Sequence, residues 1–465
     1  MDRSQSIKTQ QAVHIQPVCV SENQHLDLAT LHQLHPQRYP FLLESVAQGV
    51  LGQYDILFAF PQEVIRLEDV ADIVRFQSEV KQTFSDMKLT ETDCHLPFYG
   101  GWFAYFSYDY AQAIEPSLDL PSSQFPLANL TRVPTAVVVN HQTAEVQIVA
   151  EPEFAHLIPQ IQADIESALT TPVNERAIQI QNAQEEPEQK YLEGVKAIKE
   201  YILSGDIFQV NLSRLWQVEL AEKSNYVDVY RALRTHNPAP FAALAYFDEQ
   251  QPWSIISSSP ERLVKYQPPW VETRPIAGTR KRSDDLATDQ ALIDELISHP
   301  KERAEHIMLI DLERNDLGRI CQPGTVEVNE LMVVETYEHV HHIVSNVRGQ
   351  LQDGYDPLDI VHALFPGGTI TGCPKVRCME IIAELEQMPR EAYTGSLGYI
   401  NRDGSLDLNI LIRTMVHSQQ GEQSIVQFRA GAGIVADSDP QHELTETRHK
   451  AKGLIRALRS QEALD

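Results

Sequence analysis

Long apolar runs are the first thing this sequence lacks. No stretch of about 18 uninterrupted apolar residues occurs, so no membrane-spanning helix is expected. The opening MDRSQSIKTQQAVHIQ holds no apolar core of secretory-signal length, and a cytoplasmic protein is expected. Cysteine is scarce: Cys19, Cys94, Cys321, Cys373 and Cys378 are an odd number without the CxxC spacing of a metal site. That usage argues against a disulfide framework and fits buried thiols in a reducing compartment. Positive charge is short too, with 38 Lys and Arg against 65 Asp and Glu and a net charge of -27. Such a balance argues against general affinity for nucleic acid or anionic membranes. It also means that an anionic substrate needs local cations or a bound metal. Internal repeats and low-complexity segments are missing as well.

What is present suits a large globular core: 465 residues, 42% of them hydrophobic. Residues 1–170 read as a β-rich N-terminal region, with short strands such as YDILFAF and TAVVVN. Residues 171–189 are polar and acidic and read as a linker, and residues 190–465 as a second, larger region. YLEGVKAIKEYILSGD places Leu192, Val195, Ile198 and Ile202 on one helical face and stops at Gly205. The period then switches to two. Phe208, Val210, Leu212, Trp216, Val218 and Leu220 alternate with Gln209, Asn211, Ser213, Gln217 and Glu219. The polar row is either a solvent face or the floor of a site. The mixture predicts an α+β fold.

Several constellations could carry chemistry. Glu302 and Glu305 share one helical face; Glu443, Glu446 and Lys450 share another, behind the cap Asp439 and Pro440. Either face could simply be solvated. If the two faces met, four carboxylates would need a hard cation, and all-oxygen donors favour Mg²⁺ over Zn²⁺. FPGGTITGCPK is a glycine-rich junction able to bind an anion, but it lacks the GK[ST] of a nucleotide loop. RAGAGIV is a second small-residue turn. Glu261, in SSSPERL, puts a carboxylate on a loop. His339, His341 and His342 cannot share one strand face, which argues for one functional histidine rather than a metal triad. Arg413 closes the apolar LNILIRT as a guanidinium that is either structural or grips a carboxylate. In RPIAGTR (274–280), Ala277 stands where a reactive side chain could have been.

Taken in order, GDIFQVNLS, SSSPERL, RPIAGTR, KERAEHIMLIDLERNDLGRI, ETYEHVHHIVS, FPGGTITGCPKVRCMEII, LDLNILIRT, GAGIVADSDP and ELTETRHKA resemble the chorismate-utilising enzymes. The resemblance runs from about residue 190 to the C-terminus, with LLES and FYGGWFAYFSYD similar in the N-terminal part. It implies an anthranilate-synthase-type α+β fold, two packed β-sheets flanked by helices, with the active site in the cleft of the C-terminal half. It implies Mg²⁺ on Glu305 and Glu446, with Glu302 and Glu443 supporting. The metal would hold the ring carboxylate of chorismate, aided by backbone amides near Gly431 and Gly433 and by Lys450. Tyr393 and Arg413 would hold the enolpyruvyl carboxylate, while Gly278, Thr279, Thr369 and His342 line the cleft. Glu261 resembles the general acid that protonates the departing C4 hydroxyl, its pKa raised by burial among other acids. Gln209 stands where water-using members carry a lysine base. A glutamine cannot act as that base, so the resemblance implies ammonia from a separate glutamine amidotransferase subunit. No glutaminase domain is recognisable in the chain itself.

Two aminating branches remain. Asn211, NPAPF, GGTITG and AYTGSLGYI resemble aminodeoxychorismate synthase, which serves para-aminobenzoate and folate synthesis. Ala277 is instead the anthranilate-type residue, where many aminodeoxychorismate synthases carry a nucleophilic lysine. Formation of 4-amino-4-deoxychorismate is the expectation and anthranilate the alternative. Without the lysine, either ammonia adds directly at C2 before displacement at C4, or Lys375 or Lys450 is the nucleophile. LLES and NPAPF also resemble a tryptophan pocket, involving Ser45, Asn237 and Phe241. A non-catalytic tryptophan-binding scaffold would not need Glu305, Glu446, Lys450 and Glu261.

Overall fold

The computed structural model describes residues 13–459 apart from 22–23, 25, 48–51, 90–93, 174–176, 222–223, 338–339 and 422. Among these, 12 strands form one antiparallel sheet and 10 form another. The sheets pack face to face. Phe41 in Phe41–Glu44 (β1) of the larger sheet stacks on Phe103 of the smaller, ring centroids 3.9 Å apart. Phe58, Tyr105, Phe247, Trp253 and Leu397 complete this buried layer. Aromatic side chains bury the most apolar area each, and their exclusion from water drives the two sheets together.

Strands from the first 170 residues are interleaved with later ones in both sheets. β1 pairs with Phe241–Phe247, and Gly101–Phe106 pairs with Ser396–Asn401. The acidic stretch 171–189, expected as a linker, carries the strand Ile180–Glu185, and the next helix starts at Glu188. The strand lies along Trp216–Leu220, exposed on its outer side, and Glu185 is tied to Arg214 at 2.6 Å and Arg448 at 2.9 Å. Its polarity suits an edge rather than a connection.

The site-bearing strands are Gln209–Leu220 (β2), Trp253–Ser259 (β3), Ile276–Lys281 (β4), Val340–Gln350 (β5) and Gln423–Ile434 (β6). The helices around them are Glu188–Leu203 (α1), Pro300–Gly318 (α2), Lys375–Glu386 (α3) and Pro440–Leu458 (α4). α1 and α3 bury Val195, Ile198, Cys378, Ile381 and Ile382 against Val210, Leu212, Ala432 and Ile434 of β2 and β6. α4 begins as expected, Asp439 accepting from the His442 amide with Pro440 in the first turn. The alternation of β2 holds with two corrections. Phe208 precedes the strand and is 69% exposed, whereas Arg214, in the apolar phase, is fully buried over Trp216 and Tyr191. No helix among the described residues is long and apolar enough to cross a membrane.

Candidate active site

The floor of the site is where β2 and β6 pair, Asn211 opposite Gly433 and Ser213 opposite Gly431. A Cβ on Gly431 would stand 2.5 Å from Asn211 Oδ1 and 2.9 Å from the Tyr393 hydroxyl. One on Gly433 would stand 2.5 Å from Gln209 Nε2. Glycine at both places lets polar side chains lie directly on the neighbouring backbone.

Five of the buried polar atoms without a hydrogen-bond partner belong to residues named above as site candidates: Gln209 Oε1, Asn211 Oδ1, Glu261 Oε1, Thr369 Oγ1 and Glu302 Oε2. Other such atoms are scattered through the fold. Each costs about 1–3 kcal/mol when left unpaired, so several in one region mark a surface shaped for a polar ligand.

Glu261 follows β3 and Pro260 and is 5% exposed. Burial pushes its carboxyl up to about 7, while the cations Lys450 and Arg413 pull it back. Burial raises it, as expected; the buried acid Glu313 feels its charge, and the two cations oppose the rise. A carboxyl poised near neutrality can act as a proton donor.

β4 and β5 place Thr279 opposite His342, with a bulge at Gly278, whose φ is 74°. The hydroxyl of Thr279 and Nδ1 of His342 are 2.9 Å apart. Burial, then the charge of Arg413, holds His342 down at about 4, so the imidazole is neutral. His341 points the other way, to Asp289 Oδ1 and Thr336 Oγ1, each at 2.9 Å. His339 lies outside the described residues. Ala277 is buried opposite Ile343.

Arg413 does not end a strand. It sits between Leu406–Asn409 and Thr414–Gln420 with φ 51°. Its guanidinium makes no ion pair or hydrogen bond to a described residue, yet its charge is felt by Glu261 and His342. That leaves it able to grip an incoming carboxylate. Burial raises the Tyr393 hydroxyl to about 12, so it donates as a neutral phenol. Lys450 Nζ reaches the Gly431 carbonyl at 3.0 Å, with Glu446 at 3.7 Å. Lys375 is the exception among the expected residues. Its ammonium is held by Asp316 at 2.6 Å and by the Leu364 carbonyl, and a lysine tied this way is neither a free nucleophile nor a ligand for a second anion.

The acids of α2 and α4 are only partly brought together. Glu302 pairs with Arg280 at 2.7 Å through Oε1, its free Oε2 lying 2.5 Å from where a Cβ on Gly278 would be. Glu305 lines a groove of about 390 Å³ with Phe208 and residues 435–437, the turn that leads into α4. Glu443 accepts from Ser438 at 2.8 Å. Among the described residues, no three His, Cys, Asp or Glu side chains gather as a ready metal-holding group. The donor chemistry of the four glutamates, and the unpartnered Glu302 oxygen, nevertheless fit a hard divalent cation.

Sequence reasoning missed a buried ion cluster directly beneath this floor. Glu386 receives Arg390 at 2.7 Å, Arg429 at 3.1 Å and both the amide and hydroxyl of Ser213. It also missed Glu313 on α2, a fully enclosed carboxyl raised to about 7 by burial. The signal was available: Glu386 falls in phase with Met379 and Ile382, and Glu313 with Leu309 and Leu317, each an acid on an apolar helical face. Ser45 and Phe241 line a cavity of about 100 Å³ between the sheets, with Ile56, Tyr399, Asp407 and Asn409. Asn237 is not in its wall; its carbonyl accepts from the Ser258 hydroxyl and its side chain packs against Gly453 of α4.

The C-terminal half thus gathers a buried acid, a neutral imidazole, an unpaired guanidinium and orphaned acceptors, a set suited to a small anion. Residues 39–456 match the chorismate binding enzyme family, and the chain belongs to it. Aminodeoxychorismate synthase component 1 of Bacillus subtilis is 44% identical over 445 residues, 91% of this chain and 92% of that protein. Anthranilate synthase component 1 of Aquifex aeolicus is 38% identical over 441 residues, 90% of this chain and 86% of that protein. Anthranilate synthase component I from Streptococcus pneumoniae has the same fold in its crystal structure. It is 29% identical with a TM-score of 0.73, over 88% of this chain and 93% of that one. The protein is an enzyme acting on chorismate.

Proposed function

We propose that this enzyme aminates chorismate to 4-amino-4-deoxychorismate, using Mg²⁺ and ammonia supplied by a glutamine amidotransferase subunit. The observation that carries it is the set of unpaired side-chain oxygens on β2, Gln209 Oε1 and Asn211 Oδ1, where a base would be needed to activate water. An amide takes up no proton at neutral pH, so it can orient ammonia but cannot generate hydroxide. The 44% identity to the Bacillus subtilis protein supports this branch, and the anthranilate synthases at similar coverage keep anthranilate as the second reading.

Glu305 and Glu446, with Glu302 and Glu443 behind them, would hold the metal. When bound, Mg²⁺ neutralises and orients a carboxylate. Arg413 and Tyr393 take the other carboxylate. Ammonia forms a C–N bond at C2, the two conjugated ring double bonds shift, and the C4–O bond breaks. Glu261 gives its proton to the departing hydroxyl, which leaves as water; the base form of Glu261 then regains a proton from the ammonium nitrogen. A second ammonia then forms the C4–N bond, the double bonds shift back and the C2–N bond breaks, the first nitrogen leaving as ammonia with the proton that Glu261 has regained. Neutral His342, held by Thr279, lines the cleft without adding charge. Ser45 and Phe241 support tryptophan binding as a separate property. Their cavity is below the roughly 300 Å³ of ordinary ligand pockets, so it must open to admit an indole.

The test is product analysis of purified protein with chorismate, Mg²⁺ and ammonium. 4-Amino-4-deoxychorismate is expected. Anthranilate accumulating without a lyase overturns the choice of branch.

A further inference from the structure

Arg390 is fully buried, and its side chain donates to four residues on three segments: Asn211, Ile370, and Glu386 and Thr394 to either side of it. Nε and Nη2 hold both oxygens of Glu386, at 3.0 and 2.7 Å. Nη2 also donates to the main-chain carbonyl of Asn211 at 2.7 Å. Nη1 donates to the carbonyl of Ile370 at 3.2 Å and more weakly to Thr394 Oγ1 at 3.4 Å. The guanidinium carbon lies 5.5 Å from the centre of the Tyr393 ring and 4.8 Å from that of Tyr108.

A structural ion pair needs only the first of these. The others reach the segments that carry the orphaned groups. Asn211 bears an unpartnered Oδ1, Ile370 adjoins Thr369 with its unpartnered Oγ1, and Tyr393 brings its hydroxyl to the same place over Gly431. Glu386 extends the clamp, accepting from Ser213 on β2 and from Arg429 on β6, two residues before Gly431. Three segments distant in sequence thus meet at one planar cation, whose fork fixes their spacing in a way a single ammonium cannot.

We propose that Arg390 is a positioning residue: it sets the relative placement of Asn211, Thr369 and Tyr393, and hence the fit of the site to chorismate. This rests on those three residues contacting substrate, as the proposed function has it. The inference assigns Arg390 no contact with substrate and no proton transfer.

Arg390→Lys keeps the charge facing Glu386 but cannot reach Glu386, Asn211 and Ile370 together. The expected result is a KM for chorismate raised at least tenfold, with kcat within about threefold of wild type and the melting temperature within a few degrees. Arg231→Lys is the control, because Arg231 is equally buried but is bound to Asp27, Gln33 and Thr30 away from the site. It should leave KM unchanged. A KM for Arg390→Lys within twofold of wild type, or kcat and KM changing as they do in Arg231→Lys, overturns the inference. Should Arg390→Lys fail to fold, Arg390→Ala assembled and assayed with added guanidinium takes its place. Saturable lowering of KM by guanidinium supports positioning, and no response overturns it. Calorimetric affinity for chorismate is read beside the kinetics. A wild-type protein that binds chorismate without aminating it overturns the proposed reaction and still tests Arg390; one that does not bind it overturns both.

Discussion

Thr279 Oγ1 and His342 Nδ1 lie 2.9 Å apart across the β4–β5 ladder, next to the one bulged glycine in RPIAGTR. The bond fixes the ring orientation of a histidine that burial keeps neutral. Thr279→Val keeps the shape and removes the bond. The expected outcome is a loss of about tenfold in kcat/KM for chorismate, the size of one hydrogen bond, with little change in melting temperature.

Gly278 itself is a stability prediction. Its φ of 74° disfavours any side chain, and a Cβ would stand 2.5 Å from Glu302 Oε2 and 2.9 Å from Leu296 Cδ1. Gly278→Ala should cost about 1–3 kcal/mol, measured by urea denaturation, and should loosen the Glu302–Arg280 pair.

Glu261 makes the activity depend on pH. Its carboxyl is raised to about 7, so the acid form is present below that and is lost as pH rises through it. The kcat/KM profile should fall on the alkaline side with an apparent pKa near 7, and Glu261→Gln should lower kcat by about 10²–10⁴. The sign for stability follows from the same shift. The folded state binds this proton more tightly than the unfolded chain. Stability is therefore full below about 4.5 and declines as pH rises to about 7. Glu261→Gln, tested by denaturation at pH 8, should be more stable than wild type by about 1–3 kcal/mol.

The glutamates of α2 and α4 are expected to bind Mg²⁺. Calorimetric titration should show one Mg²⁺ site in the presence of chorismate, weakened more than tenfold in Glu305→Gln and in Glu446→Gln. Chelation should abolish amination and added Mg²⁺ restore it. No heat with wild type, and activity indifferent to chelator, would remove the metal from the scheme.

Ala277→Lys probes the missing nucleophile. Ala277 is buried beside Gly278 on the strand that carries Thr279. Intact mass spectrometry after incubation with chorismate should show an adduct on the lysine variant and none on wild type. No adduct on the variant means that position 277 does not face C2.

Much of this was readable from the chain alone. The two-residue period of 208–220 placed Gln209, Asn211 and Ser213 on one polar face, and the strand does present them together, because side-chain direction in an extended chain is local geometry. The helix start at Asp439 was legible for the same reason, a cap being a contact between near neighbours. The ordered motifs from residue 190 onward carried the family and the two-sheet fold. Other features depend on which distant segments meet. Lys375 read as a site cation until Asp316, 59 residues away, took its charge. The linker became an edge strand because β2 had an open edge beside it. Glu261 owes its raised pKa to the depth at which it is buried, and Arg390 its reach to the Asn211 and Ile370 carbonyls brought to one point. Burial, ion pairing and orphaned acceptors are properties of a packed interior, and only the tertiary structure decided them.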